Sequence, residues 1–399
     1  MKFVVACCWP PDKGQGISTV SREIAAMLIK KGNEVYYLSP QPSSFTWYEA
    51  TGIKPIIIGS EQNPIEGLRS VVAQVNDLDP DAIINNDHPY VQAALPDLKT
   101  RKIIISHTMA WGTAALVRFN HEWADRIVAI SYDMLQLLLM KGVSPAKLSL
   151  IMNGIKDPYE QRWVPQHNPV KPLRLVFAGN WTRVKGADYL LDSISKSDSK
   201  SQWLQLDCFG NIKERQAAIL AKKSWVKVHD RVPRDKFIET LSKADLLLLP
   251  SRIEGCPVSV IEAMSHGVVP IVSDGHGAMK WMVDHGVDGF IARRKYWHRD
   301  MWSILKHLGN NRDLLLKIKK RARKKFLKEF KIDHVVNELL DISTNKVVDH
   351  VNHNTDSIAI KWHRPSAEGS LIDRLFSRLY YKLGLLRLIK NVKSDVSNK

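Results

Sequence analysis

Short apolar runs alternate with amphipathic segments along most of this chain, and that alternation decides what it can fold into. Lys2–Cys8, Glu34–Leu38, Pro55–Ile58, Ala82–Asn85, Lys102–Ser106, Arg126–Ala129 and Leu148–Ile151 read as strands. Ser18–Lys31, Pro64–Asn76, Pro89–Leu98 and Tyr132–Lys141 read as the helices between them. Nearly continuous apolar strands are buried on both faces, which calls for a parallel sheet with helices on either side. Around 157–172 the pattern stops, and Pro158, Pro165, Pro169 and Pro172 stand among polar residues as an interdomain linker would. It then restarts with strands at Leu173–Ala178, Leu204–Cys208, Val226–Val228, Asp245–Leu249, Val268–Val272 and Gly289–Ile291. The expected organisation is two doubly wound α/β domains, 1–157 and 173–342, joined by a linker at 158–172 and followed by a tail at 343–399. Ligands of such sheets sit at the carboxyl ends of strands, so a cleft between two facing domains is the expected site.

Composition narrows the functional classes. Four cysteines without a C-x-x-C pair fit a reducing compartment. The run Phe3–Trp9 is short for an export signal, and no stretch of 18 apolar residues occurs, so a cytoplasmic protein is expected. The formal charge of +17 admits nucleic acid, an anionic membrane or a phosphate-bearing ligand. It is unevenly placed: residues 312–331 hold ten basic and two acidic side chains, and 361–399 hold nine and three. Two short stretches thus carry +14 of the excess, and the main body is only mildly basic. No nucleic-acid motif accompanies them, so no nucleic-acid partner is expected.

Three loops at predicted strand ends carry chemistry. The first, 11–19, follows strand 1 and holds Gly14 and Gly16, which allow close backbone approach to an anion at a helix start. Alone it reads more readily as an ordinary connecting loop, and it lacks the full G-x-G-x-x-G of a dinucleotide site. The second, 178–186, places Arg183 and Lys185 before a helix, where two cations and helix N–H groups can share the charge of a diphosphate; a solvated basic turn fits equally well. The third, 246–264, places Glu254 in a loop after a strand and Glu262 more than a turn into the next helix, with Pro257 expected at its first position. Two carboxylates so spaced can hold neighbouring sugar hydroxyls. A buried Glu262 requires a ligand or a cation beside it.

Pro250-Ser251 through Glu254-Gly255-Cys256-Pro257, then Glu262-Ala263-Met264 and His266-Gly267-Val268, resembles the E-x7-E signature of family 4 retaining glycosyltransferases. Asn153-Gly154, Lys185-Gly186, Ser273–Gly277 and Asp288-Gly289 resemble further landmarks of that family in the same order, so the resemblance spans about residues 1–342. It implies the GT-B fold, two Rossmann-like domains facing across a cleft. It implies transfer of a sugar from a nucleotide donor to an acceptor hydroxyl with retention, the nucleotide-sugar being a substrate, with no cofactor and no metal. By the same resemblance Glu254 lies near the donor sugar, Glu262 holds the donor ribose, and Lys185 holds the donor phosphates. Gly14 and Gly16 match a loop closing on those phosphates, and Gly255 belongs to the donor loop. His107, at a strand end, matches a histidine near the donor sugar, with a structural strand-end histidine as the plainer reading. Three positions depart from the family. Asn180 stands where Arg is usual, a charge that Arg183 could supply, His276 stands where Gly is usual, and Lys280 stands where Glu is common.

The basic stretches are expected to be helical. In 312–331, Leu314, Leu315, Ile318, Ala322, Phe326 and Leu327 form an apolar stripe opposite a cationic face. In Ser370–Lys390, Ile372, Leu375, Phe376, Leu379, Leu383, Leu386 and Ile389 form another, with Arg374, Arg378 and Lys382 beside it. An in-plane helix on anionic lipid suits the second, as does a helix packed on protein. The expected protein is therefore peripheral at the inner face of the cell membrane, with a glycan or lipid-linked acceptor. The alternative is a non-catalytic GT-B scaffold subunit of a glycan-assembly complex, which Asn180 and Lys280 keep open. Trp47, Tyr48 and Trp111 are candidates to stack on a sugar.

Overall fold

The computed structural model describes residues 1–11, 16–40, 45–58, 64–107, 117, 120–159, 162–165, 172–198, 200–230 and 232–344. Its strands are β1 (Lys2–Cys7), β2 (Glu34–Ser39), β3 (Lys54–Ile57), β4 (Ala82–Asn86), β5 (Arg101–Ser106), β6 (Arg126–Ala129), β7 (Leu148–Leu150), β8 (Leu173–Ala178), β9 (Leu204–Phe209), β10 (Val226–His229), β11 (Leu246–Leu249), β12 (Ile253–Glu254), β13 (Val269–Ser273), β14 (His276–Gly277) and β15 (Phe290–Ala292). Among the described residues they form a seven-stranded sheet ordered β3-β2-β1-β4-β5-β6-β7, a six-stranded sheet ordered β10-β9-β8-β11-β13-β15, and a β12-β14 pair. Every ladder is parallel. Both large sheets reverse direction beside their first strand, at β1/β4 and at β8/β11, which makes each a doubly wound Rossmann-like sheet with a ligand-binding switch point there.

The apolar runs explain the strands. Phe3, Val4, Val5, Ala6 and Cys7 are fully buried, as are Leu246, Leu247 and, nearly so, Leu248 and Leu249. Each such branched side chain contributes about 1.5–3 kcal/mol by leaving water, and only helices on both faces can cover them all. In the first sheet Val71 and Val75 of the Pro64–Leu78 helix pack on Val4, Ala6 and Ile83. In the second, Leu190 and Ile194 of the Ala187–Ser195 helix and Met301 and Leu305 of the Trp297–Asn310 helix share a core with Leu175, Phe177, Leu246 and Leu248.

The chain divides into two compact units, Met1–Asn153 with the segment from Ile332 onward, and Gly154–Lys331. Sequence periodicity runs on through 332–342 and gives no reason to stop the second domain earlier. The Ile332–Ser343 helix nevertheless packs on the Gly16–Lys30 helix, which places it in the first unit. The 158–172 stretch expected as a linker is tied to the second unit where it is described. Tyr159 Oη lies 2.9 Å from His266 Nδ1, and Trp163 Nε1 donates to the His266 carbonyl at 3.1 Å. The Ser370–Lys390 helix expected in the tail lies outside the described residues.

Other local expectations shift. Phe45–Thr51 is a helix, and Tyr37, Trp47 and Tyr48 pack edge-on with centroids 5.7 and 5.1 Å apart. Tyr48 is buried, so it serves packing rather than sugar stacking; Trp111 lies outside the described residues. Pro257 is the N-cap of the Val258–Ser265 helix rather than its first residue. The Arg312–Glu329 helix buries Leu315, Ile318, Ala322 and Phe326 as its spacing demands, but Leu327 is exposed. Several of its cations turn inward. Lys319 pairs with Asp245 at 2.9 Å, Arg323 with Asp157 at 2.7 Å, and Lys325 with Asp284 at 2.9 Å. The exposed cationic face is Lys317, Lys320, Arg321, Lys324 and Lys328. Among the described residues, no helix is long and apolar enough to cross a membrane.

Candidate functional site

In the second unit the switch point is built from loops that follow β8, β11 and β13. After β8 the chain runs through Gly179–Gly186 into the Ala187–Ser195 helix. Gly186 has φ +69, and a Cβ there would meet the Pro250 carbonyl oxygen at 2.0 Å, so only glycine brings this loop onto the end of β11. Arg252 fastens the contact. Its N–H donates to the Val184 carbonyl at 2.8 Å, and its guanidinium grips Asp188 with both Nη atoms at 2.7 and 2.8 Å. Nη1 also donates to the Arg183 carbonyl, and the guanidinium lies 3.9 Å from the Tyr189 ring centroid. Sequence reasoning gave Arg252 no role. Its signal lies inside the third loop, where a cation follows a strand end beside two glutamates.

These ties deliver Lys185 to Glu254. Lys185 Nζ donates to both carboxylate oxygens at 2.8 Å, and the Ser251 hydroxyl donates to Glu254 Oε1 at 2.7 Å. The Glu254 side chain is 8% exposed and that of Lys185 is 34% exposed, so the carboxylate lies at the floor of the site and the ammonium at its rim. The backbone of Glu254 is held too: β12 pairs with β14, setting Glu254 opposite Gly277. The Ser273 hydroxyl donates to the Ser251 carbonyl, and a Cβ on Gly275 would meet that same oxygen at 2.5 Å. The 273–277 loop, one of the family landmarks, therefore abuts Glu254. Gly255 lies next in the chain, half-buried.

Glu262 is buried on the Val258–Ser265 helix, and of the ligand or cation expected beside it the structure shows a cation, Arg234, whose Nη1 contacts Oε1. Arg183 is exposed; its carbonyl, not its guanidinium, makes the contact seen here. Of the three departures, Asn180 and Lys280 are exposed as well and His276 is half-buried. Among the described residues, no three His, Cys, Asp or Glu side chains converge as metal ligands would.

The first unit has a different strand-end cluster. β4 ends at Asn86, followed by Asp87 with φ +53 and by His88. His107, after β5, sets Nε2 2.8 Å from Asn86 Oδ1. Burial lowers the His107 imidazole to a pKa of about 3, so it is neutral and acts as a hydrogen-bonding group at physiological pH. His88 is 1% exposed, is likewise lowered to about 3 by burial, and has no hydrogen bond at either ring nitrogen among the described residues. Asn85 Oδ1 accepts from the His88 N–H at 2.8 Å, and Asn85 Nδ2 donates to Gln92 at 3.0 Å. Sequence reasoning missed this Asn85–His88 cluster, although four polar residues closing an apolar strand were visible. Gly14 lies outside the described residues, and Gly16 opens the Gly16–Lys30 helix with its backbone exposed.

A family model for glycosyl transferases group 1 matches residues 160–325, and one for glycosyltransferase family 4 matches residues 14–157. The amylovoran biosynthesis glycosyltransferase AmsK of Erwinia amylovora is 24% identical over 189 residues, covering 44% of this chain and 43% of that protein. The N,N'-diacetylbacillosaminyl-diphospho-undecaprenol alpha-1,3-N-acetylgalactosaminyltransferase of Campylobacter jejuni is 33% identical over 221 residues, covering 52% of this chain and 57% of that protein. The chain thus spans less than two thirds of the length of these curated relatives. Among solved structures, Anabaena HepE in complex with UDP and glucose matches with a TM-score of 0.71 at 16% identity, covering 86% of this chain and 99% of that one. The lipopolysaccharide outer core galactosyltransferase WaaB, in its apo form, matches at 0.65 with 17% identity over 87% of this chain and 100% of that one. At such identities these likenesses show the fold.

Proposed function

Because the chain belongs to the family 4 glycosyltransferases and has their GT-B fold, we propose that it moves a sugar from a nucleotide-sugar donor to an acceptor hydroxyl with retention at the anomeric carbon. The observation that carries this reading is the Lys185–Glu254–Ser251 constellation at the β8/β11 switch point. In the reaction the bond from the anomeric carbon to the diphosphate breaks, the acceptor oxygen takes that place, and a nucleoside diphosphate and a proton leave. Charge builds on the departing diphosphate, and preorganised cations stabilise it best. Lys185 at the rim meets it, with Arg183 of the same loop, and Gly14 and Gly16 serve the same phosphates. Glu254, on the floor beside Gly255, faces the donor sugar, Glu262 holds the donor ribose, and neutral His107 offers a hydrogen bond to the sugar. No step needs a metal or a cofactor.

The acceptor in this reading is a glycan or lipid-linked precursor, a class that the Campylobacter relative's name also describes. A cationic helix face of Lys317, Lys320, Arg321, Lys324 and Lys328, with the tail beyond it, suits a cytoplasmic protein docking on the inner, anionic face of a membrane. The test is release of nucleoside diphosphate from a panel of UDP-, GDP- and ADP-sugars, with and without extracted membrane lipid as acceptor. Release stimulated by lipid supports the reading, and NMR of the product's anomeric proton decides retention. Donor binding without turnover under any condition would favour the scaffold alternative instead.

A further inference from the structure

A carboxylate this deeply buried does not stay ionised without a partner cation. The Glu262 side chain is 5% exposed, and Val258, Val260, Ile261, Ala263, Met264 and Ser265 around it on the same helix are buried too. Its cation, Arg234, is the first residue of the Arg234–Ser242 helix, and its side chain is 32% exposed. The topology fixes where Arg234 sits. It follows β10, as Lys185 follows β8 and Glu254 follows β11, and these strands run parallel in one sheet. All three residues therefore stand at the carboxyl end of that sheet, where its ligands bind. Arginine also suits the task. Its guanidinium is planar and its charge is permanent, so the Nη1 contact keeps a cation beside the carboxylate at any physiological pH.

We propose that Arg234 is the positioning residue for Glu262, keeping its carboxylate charged and aimed so that the protein selects nucleotides with an intact ribose. This rests on the reading that Glu262 holds the donor ribose. A ribose diol donates two hydrogen bonds, and an ionised carboxylate accepts both; a neutral, rotated carboxyl does not. A dideoxyribose makes neither bond and is indifferent to Arg234.

The experiment is isothermal titration of the full chain with UDP, GDP and ADP, then with the 2′,3′-dideoxy form of whichever binds tightest. It is run on the wild type, Arg234→Ala and Arg234→Lys. The wild type should prefer the ribonucleotide by about tenfold or more, the value of one to two charge-assisted hydrogen bonds. In Arg234→Ala the ribonucleotide should weaken about tenfold while the dideoxynucleotide moves less than about twofold, so the preference collapses. The dideoxynucleotide is thus the internal control for folding. Arg234→Lys, with charge but no fork, should recover part of the preference. A wild-type preference that survives in Arg234→Ala overturns the role of Arg234 alone. A wild type with no preference overturns the ribose assignment of Glu262 and the proposal with it.

Discussion

The two switch points of this chain solve the same problem with opposite electrostatics. At β8/β11 the strand-end polar groups are charged and paired, Lys185 with Glu254, Arg252 with Asp188 and, on the neighbouring helix, Arg234 with Glu262. At β4 and β5 of the first unit the described strand-end histidines are buried and neutral, His107 on Asn86 and His88 without a ring hydrogen bond. The difference teaches what each site can offer. Paired charges can be re-partnered by an incoming diphosphate or diol, since the ligand replaces one half of each pair. Neutral imidazoles offer directional hydrogen bonds and no charge, which suits hydroxyls. The charged side should therefore govern donor binding and turnover, and the neutral side should govern stability against acid.

The largest effect should fall on Glu254. Glu254→Gln keeps its shape and its contact with Ser251 but removes the charge that Lys185 holds. Turnover of the nucleotide-sugar should drop by about 10²–10³-fold, the size seen when one preorganised electrostatic group is lost. Steady-state assays on the preferred donor measure it, and turnover within a fewfold of wild type would break the assignment of the second unit as the reacting side.

The histidines come next. Both imidazoles fall from an ordinary 6.5 to about 3 on folding, so the unfolded chain binds more protons anywhere between those values. Stability therefore rises with pH across that window and is lost as pH falls below about 6.5, by on the order of 2 kcal/mol per histidine at pH 5. His88→Phe removes one titrating group from its buried site. Thermal melts from pH 8 to pH 5 should show the variant losing less stability than the wild type, by roughly one histidine's share. Equal losses would mean that His88 is charged in the folded protein and that the first unit is not a neutral site.

Arg252 probes how the charged side is held. Arg252→Ala leaves Asp188 without its fork and releases the Arg183 and Val184 loop, at about 1–3 kcal/mol of stability. Nucleoside diphosphate affinity should fall along with it, because Lys185 rides on that loop. Arg252→Lys restores the charge but not the bidentate grip, and it should recover less than half of either quantity. Full recovery by lysine would show that charge alone, and not the clamp, orders the loop.

How much of this was readable beforehand depends on what fixes each feature. Strands buried on both faces, such as Lys2–Cys7 and Leu173–Ala178, announce themselves through composition, and their sheet class follows. Glu254 and Lys185 were singled out through motif resemblance, and the structure brings their side chains together although they lie 69 positions apart. The need of Glu262 for a ligand or a cation followed from desolvation, yet that it is a cation, and which one, did not, since nothing local links Arg234 to Glu262. Short elements were invisible for another reason. The β12–β14 pair has two residues a side, and Phe45–Thr51 and Met279–Met282 make two turns or fewer, below the span over which periodicity can be counted. The inward turn of Lys319 and Arg323 was hidden because their partners, Asp245 and Asp157, are remote in sequence.

The smallest effect extends the contrast to the helix that closes the first unit. Glu338, on Ile332–Ser343, is raised to about 7, first by burial and then by the neighbouring charge of Asp341. A carboxyl raised on folding favours its protonated form there, so the folded state loses ground as pH climbs from about 4.5 through 7. Glu338→Gln fixes the neutral form. The variant should match the wild type near pH 4.5 and exceed it at pH 8, by about 1 kcal/mol or less, because the partly exposed site is screened by solvent. Denaturant midpoints at the two pH values measure the gap. A gap that stays constant with pH would mean that the glutamine acts through packing, and that charge is tolerated on the first unit after all.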